Sequence, residues 1–217
     1  MAAPTFKDYG NIAEETSGGS SVSIDYVSPV AANDLLILYV FNNDLGNVVT
    51  PSGWTAIGNK ISFDGSCRLY SFKKKASGSE TGTVTVSRIK QSGSGVLAGQ
   101  MFSFDGTDFI DVLGYATDSD DETTIDIPTI SISGTERTLI SFILNGALPD
   151  SHTGSYTEQS VGSFDSGDFY FQALTKANVS SAPAQTAGNG SVVWITFHTA
   201  IYNNDPVLTS PRSFIVN

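Results

Sequence analysis

Apolar side chains in this 217-residue chain alternate with polar ones, or occur in short runs that end at Gly, Ser, Asn or Asp. Residues 80–86, Glu-Thr-Gly-Thr-Val-Thr-Val, show the alternation most plainly. A period of two residues is that of a β-strand with one buried face, whereas the longer period of a helix is almost absent. The pattern therefore restricts the chain to an all-β fold.

Segments with this pattern recur along the chain and are separated by turn residues. The predicted strands are Ser21–Tyr26, Asp34–Phe41, Trp54–Lys60, Arg68–Lys74, Thr81–Ser87, Gly95–Phe104, Thr123–Ile127, Thr138–Asn145, Tyr156–Val161, Phe169–Thr175 and Ser191–Tyr202. Short strands at regular spacing are typical of an antiparallel β-sandwich or a jelly roll. Hydroxyl side chains support this, because Ser and Thr make up 50 residues while only 15% are charged, and Thr is favoured on exposed strand faces.

The two halves of the chain resemble each other. Segment 34–42 aligns with 137–145 at an offset of 103, Trp54 with Tyr156 at 102, 68–76 with 169–177 at 101, and 96–104 with 192–200 at 96. Chance similarity between β-rich segments is the alternative to duplication. A duplicated unit would leave one sheet face bare unless the two copies packed together. We therefore predict one jelly-roll domain over residues 21–202, built from similar Greek-key halves at about 21–112 and 123–202.

The two ends of the chain differ in composition from the middle. Residues 1–20 are mixed and polar and are predicted to form an N-terminal arm, and residues 203–217, with Pro206 and Pro211, a C-terminal tail. Each end could instead fray or pack on its own domain. As extended arms, the ends would dock on a neighbouring subunit.

The overall charge excludes one large class of function. The net charge is −11 and the isoelectric point about 4.3, so binding to nucleic acid through phosphate neutralisation is not expected. The first residues lack the pattern of a signal peptide. The longest apolar run, Leu35 to Phe41, is too short to cross a membrane. A soluble protein made in a reducing compartment is the expectation, since Cys67 is the only cysteine.

The charges are unevenly distributed along the chain. Residues 60–90 hold seven bases and two acids, whereas residues 105–168 hold thirteen acids and one base, Arg137. The seven bases are Lys60, Arg68, Lys73, Lys74, Lys75, Arg88 and Lys90. Both segments could be ordinary solvated faces. Alternatively, one surface of a subunit could meet the opposite charge on its neighbour, which would fix the register of an assembly.

The residues that could support catalysis are few. The only histidines are His152, in a polar loop, and His198, in a strand. A Ser–His–Asp triad needs a positioned nucleophile, base and acid, and no Gly-x-Ser-x-Gly motif is present. Glycoside hydrolysis needs two carboxylates at a defined separation, which a sequence does not show. We therefore predict a protein that is not an enzyme and assign no catalytic residue.

Metal and cofactor sites are not indicated either. Cys67 stands alone and is interpreted as a small buried residue rather than a zinc ligand. The acidic run 118–122 could offer oxygen ligands to calcium, but it lacks the spacing of an EF-hand loop and is interpreted as a solvated loop. Trp54 and Trp194 are interpreted as core or sheet-edge residues, with sugar stacking as the alternative for Trp54. No cofactor-binding or metal-binding residue is assigned.

One set of segments is more specific than the rest. It consists of Asp34-Leu35-Leu36, Thr50-Pro51-Ser52-Gly53-Trp54-Thr55, the strand Arg68–Lys75, the run from Ala76 to Thr85 (Ala-Ser-Gly-Ser-Glu-Thr-Gly-Thr-Val-Thr), and Phe102-Ser103-Phe104-Asp105-Gly106. This pattern resembles a β-sandwich domain of bacteriophage virion structural proteins, of the capsid-decoration or fibre type. The resemblance covers roughly residues 22–202. The second half has Ser155-Tyr156 in place of the Gly-Trp pair, so only the first half carries the full pattern.

The resemblance implies a non-enzymatic virion protein, most simply a decoration (cement) protein that binds and stabilises the surface of the phage head. Its implied partners are further copies of itself, in a homotrimer, and the major capsid protein, with no nucleic acid and no membrane. It would be made in the host cytoplasm and reside in the virion. Two alternatives remain open: a fibre or receptor-binding, lectin-like module that binds a glycan, and a carbohydrate-active enzyme.

Overall fold

The computed structural model describes residues 3–44, 46–63, 67–89, 95–105, 110–120, 124–130, 137–146, 151–152, 155–165, 169–179, 185–188 and 194–203. Its strands are β1 (Thr5–Tyr9), β2 (Ala13–Glu15), β3 (Ser21–Asp25), β4 (Ala32–Asn43), β5 (Val48–Val49), β6 (Thr55–Ala56), β7 (Ile61–Phe63), β8 (Cys67–Ser77), β9 (Thr83–Arg88), β10 (Leu97–Asp105), β11 (Ile110–Asp120), β12 (Thr124–Ile127), β13 (Arg137–Asn145), β14 (Ser151–His152), β15 (Thr157–Phe164), β16 (Phe169–Val179), β17 (Gln185–Gly188) and β18 (Trp194–Asn203). The predicted all-β class is confirmed.

The strands form four antiparallel sheets, two from each half of the chain. The first half forms sheet A, in the order β1-β10-β4-β8-β6 with β2 beside β10 and β7 beside β8, and sheet B, in the order β3-β9-β5. The second half forms sheet C, β11-β18-β13-β16-β15, and sheet D, β12-β17-β14. Each half thus supplies a complete pair of sheets. The expectation that the two halves together form a single jelly-roll domain stays a prediction.

The two halves have the same strand order, as the internal repeat predicts. In sheets A and C, β10-β4-β8-β6 corresponds to β18-β13-β16-β15, and in sheets B and D, β3-β9-β5 corresponds to β12-β17-β14. In each half, every strand of the small sheet lies in sequence between two strands of the large sheet. The duplication therefore extends to the whole topology and is not limited to isolated segments.

Strand register corrects two of the offsets read from the sequence. Leu36 and Leu139 are equivalent residues of the two halves, at the offset of 103. Leu36 pairs with Lys74 and Leu139 pairs with Lys176, so Lys74 and Lys176 are equivalent too. The offset between β8 and β16 is therefore 102 rather than 101. By the same reasoning, the pairings Ile37↔Phe102 and Ile140↔Thr199 give an offset of 97 rather than 96 between β10 and β18. A slip of one residue moves every side chain to the opposite face of a sheet. The sequence alignment of these two strand pairs, which relied on similar residue types, therefore matched residues that lie on opposite faces of the two sheets.

The largest apolar core lies between sheets A and C, where the two halves meet. Alternate residues of β4 and of β13 point into it, including Tyr39 and Phe142, which occupy equivalent positions at an offset of 103. Their rings stack on each other with centroids 4.2 Å apart and planes 10° from parallel. The Tyr39 hydroxyl lies 3.2 Å from the hydroxyl of Thr199 on β18. Each half therefore covers the sheet face that the other would expose.

A second core lies between sheets A and B. It is apolar and contains Leu38, Trp54, Tyr70 and Met101. Sheet B stabilises the fold by covering these side chains, since buried apolar area contributes about 25 cal/mol per Å².

The equivalent region of the second half, between sheets C and D, is more polar. The residues at the positions of Leu38, Trp54, Tyr70 and Met101 are Ser141, Tyr156, Gln172 and His198, all buried. The two halves therefore share a topology but have diverged in the chemistry of their interiors.

The segment predicted as an N-terminal arm is part of sheet A instead. Strands β1 and β2 both pair with β10 of the same chain. The Pro4 carbonyl accepts a hydrogen bond from Thr138 in the second half, and the Glu14 carboxylate accepts one from the backbone N–H of Asp165 at 2.6 Å. Residues 4–15 thus bind both halves together and do not extend as an arm. Residues 204–217 of the predicted tail lie outside the described residues.

We expect the stack between sheets A and C to dominate stability. Phe142→Ala should lower the free energy of unfolding by about 3–5 kcal/mol, because it leaves a cavity at a fully buried ring. Tyr39→Phe should cost only about 1 kcal/mol, because it keeps the ring and leaves the Thr199 hydroxyl without its partner. Urea titration measures both, with the exposed-residue variant Tyr9→Phe as the control. A loss below about 1 kcal/mol for Phe142→Ala would contradict this view of the core.

Candidate functional site

An open groove of about 350 Å³ lies at one edge of the first half, between β5 of sheet B and β6 and β8 of sheet A. We call it the first-half groove. Its lining residues are Asn47, Val48, Thr50, Ala56, Gly58, Asn59, Lys60, Tyr70 and Phe72. The volume lies at the lower end of the range for small-molecule sites. β5 and β6 are strands of two residues each, so the two sheets close poorly at this edge.

The floor of the groove is aromatic. Tyr70 and Phe72 alternate with Ser71 along β8 and so lie on the same face, with ring planes 6° from parallel and centroids 6.4 Å apart. They are 8% and 2% exposed. The Tyr70 hydroxyl is buried and has no hydrogen-bond partner among the described residues. Buried hydroxyls without a partner are uncommon, and such a group lowers the stability of the folded state.

The rim of the groove is polar and exposed. Asn47, Thr50, Asn59 and Lys60 supply carboxamides, a hydroxyl and an ammonium group. The Lys60 ammonium donates a hydrogen bond to the side-chain oxygen of Asn47. The rim therefore offers both donors and acceptors above an apolar floor.

The loop that carries Asn59 is fixed by the second half of the chain. Gly58 has a φ of +67°, in the left-handed region that favours glycine. A Cβ at this position would lie 2.1 Å from the ring carbon Cζ of Tyr115 on β11. The ring of Tyr115 stacks in turn on Phe197 of β18, at 5.4 Å. The rim loop is thus positioned by a contact between halves.

A turn before β6 sets the position of Trp54. Gly53 has a φ of +79°, and the backbone N–H of Trp54 donates to the carbonyl of Pro51 at 3.1 Å, as in a type II turn. The Trp54 side chain is 6% exposed and lies in the core between sheets A and B. The core interpretation of Trp54 is confirmed and the sugar-stacking alternative is wrong, because the ring presents no open face. The side chain of Trp194 lies outside the described residues.

The sequence analysis did not identify the groove residues Tyr70, Asn59 and Lys60. Tyr70 was included in a predicted strand, but the sequence gives no sign that its hydroxyl lacks a partner. The only available signal was the Gly-Asn pair at 58–59, which marks a turn.

The most distinctive residues of the virion-protein resemblance have structural roles. Asp34 is buried, and its carboxylate accepts hydrogen bonds from the backbone N–H of Ala31 and from the Lys7 ammonium, both at 2.7 Å. The hydrogen bond to Asp34 is also the main cause that raises the pKa of Lys7. Gly53 forms the turn before Trp54. These residues specify turns and strand ends, which explains why the pattern points to a fold.

Glu80 organises the turn between β8 and β9. Its carboxylate accepts hydrogen bonds from the backbone N–H groups of Ser77 and Gly78, each at 2.9 Å, and from the Lys74 ammonium, at 3.2 Å. Lys74 also contacts the Tyr26 hydroxyl at 3.3 Å. Burial opposes ionisation of Glu80, but these donors outweigh it and lower its pKa to about 2. The cluster is an internal support for the turn.

Of the two histidines, the structure describes the side chain of His198, which is held in the core. His198 is fully buried; its Nδ1–H donates to the Pro128 carbonyl at 2.9 Å, so Nε2 is left to accept from the Tyr156 hydroxyl at 3.3 Å. Burial lowers the pKa of His198 to about 4, against the opposing effect of the Pro128 hydrogen bond. His198 is therefore a neutral core residue at pH 7. His152 belongs to β14, and its side chain lies outside the described residues.

Much of the basic segment is occupied by contacts within the chain. Lys73 pairs with Asp111 at 2.5 Å, which joins the basic segment to the acidic one. Arg88 is buried, and its guanidinium donates to the Asn42 side chain at 2.9 Å and to the carbonyls of Gly19, Gly95 and Val96. At Lys73 and Arg88, the basic side chain therefore meets its acidic or polar partners within the same subunit.

The sequence analysis considered two possible sources of metal ligands, Cys67 and the acidic run 118–122. Cys67 is buried and its thiol lies 3.6 Å from the side-chain oxygen of Asn43, in agreement with its interpretation as a small buried residue. The side chains of the acidic run 118–122 lie outside the described residues. Among the described residues, no group of three potential metal ligands occurs.

Comparisons with protein-family models, with curated proteins and with solved structures found no match to this chain. Within the part of the chain that the structure describes, no helix is long and apolar enough to cross a membrane.

We expect Glu80→Gln to lower the free energy of unfolding by about 1–3 kcal/mol at pH 7, because it weakens several charge-assisted hydrogen bonds. The folded-state pKa of Glu80 is below its ordinary value of 4.5, so its contribution is complete above pH 4.5 and is lost as the pH falls toward 2. Denaturant titration at several pH values measures this. The matched control is Asp25→Asn, at an exposed position of β3. Equal stability of the two variants would contradict the role given to Glu80.

We expect the imidazole of His198 to titrate with a pKa of about 4. Since the unfolded chain binds a proton near pH 6.5, folding stability should fall by about 3 kcal/mol as the pH drops from 6.5 to 4. In the His152→Gln variant only one imidazole remains, so its NMR signals report His198 alone. His198→Gln should remove this pH dependence. A single imidazole with a pKa near 6.5 would contradict its burial in the neutral form.

Proposed function

We propose that this chain is a non-enzymatic structural protein of a bacteriophage virion that decorates the head surface. The observation that carries the proposal is the role of the residues behind the virion-protein resemblance. Asp34, Gly53 and Glu80 hold turns and strand ends of the first half, next to strands of sheet A. A pattern that specifies a scaffold supports a protein that works by assembly and contact. Fold alone does not define function, so the site of assembly needs a direct test.

The packing of the two halves also supports a structural role. The shared aromatic core and the strands β1 and β2 join the two sandwiches into one tightly packed body. A cement protein stabilises a shell by bridging between neighbouring capsid subunits, which requires a body that does not itself deform. The acidic net charge of −11 suits contact with a basic protein surface.

The proposed partners are the major capsid protein and further copies of this chain, in a homotrimer. The protein would be made in the host cytoplasm and carried in the virion. A trimer has closed cyclic symmetry, and such an oligomer can sit on a local threefold axis of a capsid.

The second candidate function is that of a lectin-like, glycan-binding head of a fibre. The first-half groove is the specific observation in its favour, because its exposed rim presents amide, hydroxyl and ammonium groups to sugar hydroxyls. The two candidates differ in location and in number per particle.

Copy number in purified particles separates these candidates. We expect quantitative mass spectrometry to find hundreds of chains per particle of the encoding phage, in fixed ratio to the major capsid protein. Recombinant protein should have a solution mass of about 69 kDa by light scattering, three times the chain mass of 22.9 kDa. A count of a few to tens per particle would favour the fibre head. Absence from the particle would refute both.

A further inference from the structure

We propose that acid opens the sandwich of the second half: protonation of His198 releases sheet D from sheet C, while the first half stays closed. The proposal rests on two observations. The imidazole lies across the interface between these two sheets, and both of its nitrogens are paired in the neutral form. The proposal goes beyond the structural role given above and does not depend on it.

His198 lies on the face of sheet C that sheet D covers. Phe197 and Ile201 of β18 point into the core between sheets A and C, so alternation along the strand places His198 on the opposite face. β12 of sheet D packs against β18 on that face. The Pro128 carbonyl, which accepts the hydrogen bond from Nδ1 at 2.9 Å, directly follows β12. The imidazole therefore joins the large sheet of the second half to the end of a strand of the small one.

The surroundings of the imidazole favour its neutral form. Protonation would add an N–H at Nε2, where the Tyr156 hydroxyl now donates, so that hydroxyl would have to turn round. The side chain of His198 is fully buried, so the new charge would be buried as well. A buried charge without a counter-charge is strongly unfavourable. The charged ring gains most by reaching water, and sheet D is what separates it from water on this face.

The charged side chains that the structure describes on sheet C do not offset a charge on His198. Two are the cations Arg137 of β13 and Lys176 of β16, each placed over an aromatic ring. The other two are the carboxylates of Glu158 on β15 and Asp111 on β11, which bind a glutamine and a lysine of neighbouring strands. The side chains of sheet D and of the end of β11 lie outside the described residues.

The first half has no protonatable group at the equivalent place. Met101 of β10 corresponds to His198 and lies in the apolar core between sheets A and B. The pKa of Glu80, in the first half, is about 2, so its contribution to stability is retained above pH 4.5. Between pH 6.5 and 4.5, acid therefore acts on the interface between sheets C and D and leaves the first half closed.

Sheet D is small enough to open without the rest of the protein. Its strands β12, β14 and β17 have four, two and four residues. Leu139, Ile143 and Leu174 are buried and alternate with residues of the core between sheets A and C, so they face sheet D and hold it closed. The core between sheets A and C does not contain the imidazole. Local opening of such a unit, with the remainder folded, is common in native proteins.

Proton linkage sets the size of the effect. Burial lowers the pKa of His198 to about 4, whereas an imidazole in water has a pKa of about 6.5. The closed form is therefore most stable above pH 6.5 and loses stability relative to the open form as the pH falls toward 4. The equilibrium constant for opening should rise about tenfold for each pH unit, and about 300-fold between pH 6.5 and 4.

The test is native-state hydrogen exchange of the full chain, labelled with ¹⁵N and followed by NMR between pH 7 and 4. We expect the protection factors of amides in β12 and β17, corrected for the intrinsic effect of pH, to fall about tenfold per pH unit below pH 6.5. Amides of β4 and β8 should stay better protected at every pH, because they exchange through rarer openings.

Two histidine variants test the assignment to His198. A glutamine at position 198 can donate to the Pro128 carbonyl and accept from the Tyr156 hydroxyl, but it does not bind a proton. His198→Gln should therefore make the protection of β12 and β17 independent of pH. The matched control His152→Gln makes the same change at the other histidine and should keep the tenfold slope of the parent protein.

Three results would overturn the proposal. Equal protection of β12 and β4 at every pH would mean that the imidazole reaches water only when the whole chain unfolds. The other two are protection of β12 and β17 that does not change with pH in the parent protein, and an unchanged slope in His198→Gln. The first two are read from the parent protein and decide the proposal without any variant. The isolated protein suffices, so the copy-number result has no bearing on this test.

Discussion

The stacking of Tyr39 on Phe142 marks the contact on which the rest of the structure depends. Each half of the chain builds a large sheet whose one face is covered by its own small sheet and whose other face is apolar. Only the equivalent face of the other half is available to cover it. Equivalent residues therefore meet ring to ring, at 4.2 Å. Strands β1 and β2, the Gly58 loop and the Lys73–Asp111 pair are all placed around this contact.

Away from this contact, the interiors of the two halves differ. The first half has an apolar core around Trp54 and Met101 and an open groove at its edge. The second half has Tyr156 and His198 at the equivalent positions, with the imidazole held neutral between a carbonyl and a phenol. One topology thus carries two different interiors. The buried histidine belongs to the second half and the open groove to the first.

Prediction from the sequence succeeded where periodicity carried the signal. Alternating residues located the central strands of both large sheets, such as β4, β10 and β13, but missed β11 and the shortest strands, and the repeat anticipated two halves with the same strand order. Prediction from the sequence failed where the answer depended on the register between neighbouring strands. Matching Tyr70 with Phe171 rather than Gln172 was reasonable by residue type, but it inverted the face of a strand. The N-terminal arm was also wrong, because short mixed strands such as Thr5–Tyr9 form only when a partner edge is present.

The sequence by itself determined the all-β class, the internal repeat and the acidic character of this protein. These depend on period, similarity and charge, which are properties of the chain read in order. Only the tertiary structure decided that each half forms its own pair of sheets, that Trp54 is buried and that the buried Tyr70 hydroxyl has no partner among the described residues. Those facts depend on which residues meet across 100 or so positions of sequence, as Tyr39 and Phe142 do. Local pattern carries no record of such distant contacts, so the candidate site could be recognised only in the folded molecule.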